Sequence, residues 1–218
     1  MSAPVTLLVI AKAPVPGRVK TRLCPPCTPA QAAALAEAAL ADTLEVVAAT
    51  PARARVLALE GPTGAWLPSG FDVVAQSGGG LDHRLAAAFA AVEGPAVLIG
   101  MDTPQVTVSL LCEAADALLT PGRDVVLGPA SDGGWWAIGL RRPDPRVFLG
   151  VEMSTAHTGA RQSARLVELG LRSHRLPELR DVDSFADALA VAAVAPSSRF
   201  AGALGGIDVR DELPVAVG

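Results

Sequence analysis

Lysine, aromatic residues and long apolar runs are scarce in this chain of 218 residues. Aromatic residues make up 4% of the chain and hydrophobic residues 50%, which is typical of a compact globular enzyme rather than of a disordered or fibrous protein. No apolar run reaches the roughly 20 residues that span a bilayer, and no cleavage-site pattern follows the first run. We therefore expect a cytoplasmic protein without a membrane partner.

Cysteine is also rare, and the three cysteines are Cys24, Cys27 and Cys112. An odd number fits a reducing compartment better than a disulfide framework. Cys24 and Cys27 have the spacing of a redox motif or of half a zinc site, but no second pair and no nearby histidine completes a metal site. We interpret them as loop cysteines.

Positive charge is local in this sequence. The net charge of −4 argues against a nucleic-acid partner, because binding to a phosphate backbone needs an excess of Lys and Arg spread over one face. The only two lysines, Lys12 and Lys20, lie with Arg18 and Arg22 in the segment AKAPVPGRVKTRL, residues 11–23. Cations on such a loop can stabilise the charges of a di- or triphosphate, whereas a solvated basic loop is the alternative.

Short aliphatic runs alternate with longer alanine-rich stretches, the pattern of βαβ crossovers and a mostly parallel sheet. This pattern predicts one α/β domain, followed from Pro196 by a tail or loosely packed appendage. Strands are predicted at 5–11, 54–59, 71–76, 96–101, 123–128, 134–140 and 171–176. Helices are predicted from Thr28-Pro29 to about Ala49 and at 82–92, 107–119, 157–169 and 184–193.

Several polar segments follow the predicted strands, where α/β sheets bind ligands. Asp102 comes directly after AVLIG, and Mg²⁺ usually takes one or two such carboxylates. Asp181 and Asp183 form a second candidate pair, although Asp183 or Ser184 could simply cap the following helix. Gln76 could read the edge of a base or belong to an ordinary glycine-rich turn. The segment DGGWW, residues 132–136, suggests a close approach of backbone to a ligand, with one tryptophan facing the core.

These segments resemble, in order, a known family. AKAPVPGRVKTRL, QSGGGLDHRLAAAF, IGMDTP, VVLGPASDGGWWAIGL and RDVDSFADAL are similar to DUF2064, the rSAM/selenodomain-associated transferases, over roughly residues 4–195. The similarity extends more distantly to 2-phospho-lactate guanylyltransferases and molybdenum-cofactor nucleotidyltransferases. The resemblance implies a Rossmann-like GT-A fold, that of nucleotide-diphospho-sugar transferases, with a mixed sheet flanked by helices. It implies a nucleotide-binding transferase domain over residues 1–195 and a tail over 196–218.

The resemblance also assigns expected roles to matched positions. Arg18, Lys20 and Asp102 are implied to be catalytic, and Asp102 and Asp183 are implied to share the metal. The residues implied to contact the nucleotide are Lys12, Arg18, Lys20 and Arg22 at its phosphates and Gln76 and Gly79 at its base. The residues implied to face the acceptor are Asp132, Gly133 and Gly134.

The chain departs from the family at two places that bear on the acceptor. Gln105 stands where relatives often carry a second acid, and VEMST, residues 151–155, replaces a Trp-Ser-Thr segment. These differences keep the expected metal ligand but leave the acceptor open.

Three functions fit these residues. The first is a Mg²⁺-dependent nucleotidyltransferase that joins NMP from an NTP to a small phosphorylated acceptor and releases pyrophosphate. The second is a GT-A glycosyltransferase using an NDP-sugar, although Gly100-Met101-Asp102 supplies only one acid of the usual D-x-D pair. The third is a nucleotide-binding protein without turnover.

Overall fold

A computed structural model of the chain describes residues 5–207. The strands form one sheet in the order β3-β2-β1-β4-β6-β5-β7. Their bounds are Thr6–Lys12 for β1, Ala54–Glu60 for β2, Asp72–Ala75 for β3, Ala96–Gly100 for β4, Val125–Pro129 for β5, Trp135–Leu140 for β6 and Ser173–Arg175 for β7. The predicted mostly parallel α/β sheet is confirmed, and each predicted strand is present.

Strand β6 runs against its neighbours. It pairs antiparallel with β4 and with β5, whereas every other pairing between the described strands is parallel. Trp135, the first residue of β6, therefore pairs with Pro129 at the carboxyl end of β5. This reversal brings the segment before β6 to the sheet edge where β1 and β4 end.

Helices cover both faces of the sheet. Their bounds are Pro29–Ala49 for α1, Leu81–Ala90 for α2, Val108–Leu119 for α3, Thr158–Glu168 for α4, Phe185–Val194 for α5 and Arg199–Gly205 for α6. Leu7 and Val9 of β1 pack in one cluster with α1 and α3, whereas Leu8 packs in another with α2 and α4. This division follows from the alternation of side chains along a strand.

Helix α1 begins where the sequence predicts. The Thr28 hydroxyl accepts a hydrogen bond from the Gln31 backbone N–H at 3.2 Å, and the Gln31 side chain accepts one from the Thr28 N–H at 2.7 Å. Pro29 occupies the first helical position, where its missing N–H costs nothing. These contacts form a capping box, which fixes the start of the helix.

The sequence predicts a tail or loosely packed appendage from residue 196, but residues 199–205 form helix α6, which packs against the domain. Phe200 is buried in a third cluster formed with α1 and α5. Asp42 of α1 accepts hydrogen bonds from the backbone N–H groups of Arg199 and Phe200, at 3.0 and 2.9 Å. The remainder of the predicted tail, residues 208–218, lies outside the described residues, and the domain boundary at residue 195 stays a prediction.

Within residues 5–207, none of the helices is both long enough and apolar enough to cross a membrane.

Candidate functional site

A cavity of about 450 Å³ opens at the carboxyl ends of β1 and β4. This volume lies in the range of about 300–1,000 Å³ that small-molecule sites occupy. Its wall combines the loop after β1, the segment after β4, the turn before β6 and the segment before α5. Of the sequence-predicted site residues, those on the wall are Lys12, Arg18, Lys20, Arg22, Gln76, Asp102, Asp132, Gly134, Asp181 and Asp183.

Lys20 reaches across this cavity to the acidic side. Its Nζ lies 2.7 Å from Asp102 Oδ1 and 3.7 Å from Asp183 Oδ1, and it donates a hydrogen bond to the carbonyl oxygen of Val182. The Lys20 side chain is only 10% exposed. Its backbone has the left-handed φ of 48°, which is uncommon for a residue with a side chain. Lys20 and Asp102, which the family resemblance implies to be catalytic, are therefore in direct contact.

The other cations of the loop are more exposed. Arg22 Nη1 lies 2.9 Å from Asp183 Oδ2, with its side chain 74% exposed. Arg18 lines the cavity and is also exposed. These guanidinium groups can be reached by a polyanion from solvent, and their forked donors suit phosphate oxygens.

Three carboxylates gather beside Lys20. Single oxygens of Asp132, Asp181 and Asp183 lie within 4.8 Å of one another, and Asp102 is not part of this group. Burial, together with the negative charges of Asp132 and Asp183, raises the pKa of Asp181 to about 6. The three acids therefore form a site in which a bound cation would relieve repulsion.

The oxygen atoms around Lys20 are also of the kind that binds a divalent cation. Oxygens of Asp102, Val182 and Asp183 already converge on the positive charge of Lys20. Carboxylate and carbonyl oxygens are the ligands that Mg²⁺ and Mn²⁺ prefer. The predicted pair Asp102 and Asp183 lies around the Lys20 ammonium, and Asp181 is an additional acid of the same site.

Lys12 belongs to a separate ion-pair group that sequence reasoning missed. Lys12 Nζ lies 3.5 Å from Glu60 Oε2, and Arg84 Nη1 lies 2.6 Å from the same oxygen. Glu60 ends β2 beside the end of β1, where Lys12 is its register partner. Arg84 lines the cavity and lies within the motif QSGGGLDHRL, which could have indicated it. The cationic wall therefore includes Arg84.

The two predicted base-contacting residues have structural partners. The Gln76 side-chain amide donates to the carbonyl oxygens of Ala11 at 2.7 Å and Ala58 at 3.0 Å. Both of its N–H donors are therefore used, and its side-chain carbonyl oxygen accepts a hydrogen bond from Arg84 Nη1 at 3.4 Å. Gly79 has a φ of +96°, and its carbonyl accepts from Arg84 Nε at 3.2 Å. Gly79 does not line the cavity. Its contact with Arg84, which does line the cavity, helps to position that side chain.

The predicted acceptor-side loop is a tight turn before β6. Asp132 Oδ1 accepts a hydrogen bond from the Gly134 N–H at 2.7 Å. Asp132 and Gly134 line the cavity, whereas Gly133 is turned against α4 and its carbonyl accepts from the Gly159 N–H at 2.8 Å. The loop therefore places one of the three acids beside the other two.

The same cavity also has an apolar wall, of which the sequence indicated only the tryptophan segment. It contains the indole of Trp135, whereas Trp136 is buried in the core and donates its Nε1–H to the Pro177 carbonyl at 3.0 Å. The division of the two tryptophans between ligand side and core agrees with the sequence interpretation. The larger apolar lining residues are Ile10, Val19, Leu81, Leu85, Met101, Trp135 and Met153.

A family comparison matches more than half of the chain. The model of DUF2064, described as an uncharacterized protein conserved in bacteria, matches residues 32–155. This chain belongs to the DUF2064 family. A comparison with curated proteins gave no match.

Solved structures share the fold of this DUF2064 chain. A proposed nucleotide-diphospho-sugar transferase from Desulfovibrio desulfuricans G20 is 28% identical with a TM-score of 0.82, covering 94% of this chain and 95% of that one. A nucleotidyl transferase from Methanothermobacter thermautotroptrophicus is 15% identical with a TM-score of 0.63, covering 89% and 99%. The expected fold is confirmed, and the transferase neighbours support an enzyme of the transferase class.

One further neighbour was solved with a metal. Rv0371c from Mycobacterium tuberculosis H37Rv, in complex with manganese, is 21% identical with a TM-score of 0.50, covering 88% of the DUF2064 chain and 98% of its own. At this identity the likeness concerns the fold alone. The case for a cation in the DUF2064 protein therefore depends on its own oxygen donors.

Proposed function

We propose that this protein is a Mg²⁺-dependent nucleotidyltransferase that transfers NMP from an NTP to a small phosphorylated acceptor. The observation that carries the proposal is one cavity with a cationic loop on one side and a carboxylate group on the other, joined by Lys20. A triphosphate needs both, because its charges are balanced by side-chain cations and by a divalent ion held on carboxylates.

In the reaction, a phosphate oxygen of the acceptor attacks the α-phosphorus of the NTP. The bond between the α-phosphorus and the bridging oxygen breaks, and pyrophosphate leaves with that electron pair. Bound at Asp102 and Asp183, Mg²⁺ would supply charge neutralisation at the phosphate oxygens.

The chain's own groups bind and orient the reactants. Arg18, Arg22 and Lys12 would donate hydrogen bonds to phosphate oxygens, which stabilises the charge that develops on the leaving group. The turn at Asp132 and Gly134 would position the acceptor. None of these steps requires a protein nucleophile.

Sugar-nucleotide transfer is the second candidate, favoured by the similarity to the D. desulfuricans protein. A glycosyltransferase would release a nucleoside diphosphate from an NDP-sugar, on the same cavity. The density of cations favours the triphosphate, which carries more negative charge than the diphosphate of a sugar nucleotide. A cytoplasmic location and the absence of a nucleic-acid partner remain expectations from composition.

The test is pyrophosphate release from each of the four NTPs with Mg²⁺ and a panel of small phosphorylated acceptors. Asp102→Asn should lower the rate about 100-fold or more, because it removes a ligand charge beside the phosphates. Asp116→Asn, on the exposed face of α3, is the matched control and should keep the wild-type rate. No pyrophosphate from any NTP, with diphosphate released from an NDP-sugar, would select the second candidate.

A further inference from the structure

Lys20 differs from the other cations of its loop in what surrounds its charge. Its Nζ has oxygen partners from two carboxylates and one backbone carbonyl, and its side chain is 10% exposed. Lys12, by comparison, pairs with Glu60 and is 49% exposed. The ammonium of Lys20 is therefore coordinated in the way that a bound cation would be.

The backbone segments that carry the oxygens around Lys20 are linked to each other independently of Lys20. The Val182 N–H donates to the Asp102 carbonyl at 2.9 Å, which links the segment after β4 to the segment before α5. Ser184, the next residue after Asp183, caps α5 through its hydroxyl, which accepts from the Asp187 N–H at 3.2 Å. Residues 102, 182 and 183 would thus stay close to one another if the Lys20 side chain moved away.

A compact ammonium and a divalent ion compete for one set of oxygens, because two cations held this close together repel each other. We propose that Lys20 occupies the divalent-cation ligands in the ligand-free protein and leaves them when nucleotide phosphates offer it new partners. This inference rests on the proposed function for the identity of the polyanion. It makes metal binding and nucleotide binding cooperative, since each favours the state in which Lys20 has moved.

The test is Mn²⁺ binding to the nucleotide-free, full-length protein, followed through the electron paramagnetic resonance signal of free Mn²⁺. Lys20→Met should bind Mn²⁺ about tenfold or more tightly than wild type, because the internal competitor is gone. Lys12→Met removes an equal charge from the same cavity wall and should change the affinity by about twofold at most. Lys20→Arg keeps the charge and should bind no more tightly than wild type.

A measurement on the wild-type chain covers the case in which the Lys20 variants fail to fold. With only two lysines, protein labelled with ¹³C at lysine Cε gives two resonances, which Lys12→Met assigns. Saturating Mg²⁺ without nucleotide should shift the Lys20 resonance and leave that of Lys12 in place. An unshifted Lys20 resonance, or a Lys20→Met protein with wild-type Mn²⁺ affinity, would overturn the inference.

These outcomes are separable from those of the proposed function. Metal binding to the free chain requires no turnover, so a gain in Lys20→Met would stand even if no NTP released pyrophosphate. Conversely, pyrophosphate release with unchanged Mn²⁺ affinity in Lys20→Met would leave the proposed reaction intact and remove the role of Lys20 as competitor.

Discussion

Gly133 shows how a single residue fixes the position of a candidate ligand. Its φ is +90°, and a Cβ built on it would lie 2.1 Å from the carbonyl oxygen of Ala156. The backbone at this point therefore approaches the segment before α4 too closely for any side chain, and the turn that carries Asp132 depends on that approach.

Gly133→Ala should lower the free energy of unfolding by about 2–4 kcal/mol, because it adds backbone strain and a clash with a carbonyl group. Urea unfolding measures this change. Gly202→Ala is the matched control, since Gly202 lies in α6 with nothing near its Cβ position, and it should be neutral or stabilise by about 1 kcal/mol. A Gly133→Ala protein as stable as wild type would contradict the packing described for this turn.

Residues at strand ends could be predicted from the sequence, whereas their partners could not. Lys20 and Asp102 follow strands that their apolar runs reveal, so a common sheet edge was foreseeable. Glu60 acquires its role only from the pairing of β1 with β2, which periodicity does not specify. The use of the Gln76 amide by strand carbonyls depends in the same way on the three-dimensional position of β3.

At the scale of elements, α6 extends the core beyond the predicted domain end. The sequence pattern did not reveal it, because RFAGALG is short and contains two glycines, which disfavour helix. Its Ser198 cap and Phe200 anchor were the available signals: the Ser198 hydroxyl accepts from the Ala201 N–H at 3.0 Å.

Phe200→Ala should destabilise the protein by about 3–5 kcal/mol, since the ring is fully buried against α1 and α5. Chemical denaturation provides the measurement. Val194→Ala, at a position 74% exposed on α5, should change stability by about 0.5 kcal/mol or less. If both variants unfolded alike, α6 would contribute nothing to the core.

The contact between the residues that precede β5 and β7 gives a prediction of pH dependence. Asp124 Oδ2 accepts hydrogen bonds from the Arg172 backbone N–H at 3.0 Å and from Arg172 Nε at 3.1 Å. These bonds to Arg172 lower the pKa of Asp124 below its ordinary value of 3.8. Because the folded pKa is depressed, the contribution to stability is present above 3.8 and is lost as the pH falls through the folded pKa.

Asp124→Ala should therefore cost about 1 kcal/mol at pH 7 and nothing once the wild-type carboxyl is protonated in both states. Thermal unfolding between neutral and strongly acidic pH follows the difference. Asp116→Ala, on the exposed face of α3, serves as control and should show no such trend. A difference between Asp124→Ala and wild type that persists at strongly acidic pH would contradict the assignment.

For the whole molecule, the direction of β6 is the feature that completes the site. Only residues 130–134 separate β5 from β6. Parallel neighbours need a crossover of about a dozen residues, so this short loop permits an antiparallel pair alone. The antiparallel direction of β6 could thus be predicted from the length of this loop, whereas the order of the remaining strands is known only from the structure. Because β6 is antiparallel, Asp132 and Trp135 lie at the cavity.

The most direct test of the central claim is the unfolding temperature with each of the four NTPs, Mg²⁺, or both. One NTP with Mg²⁺ should raise it by about 5 °C or more, and by more than the sum of the separate shifts, because cation and phosphates meet in one cavity. Arg18→Met should lose this shift, whereas the exposed Arg142→Met should retain it. An unfolding temperature that no nucleotide raises, with or without Mg²⁺, would contradict the account.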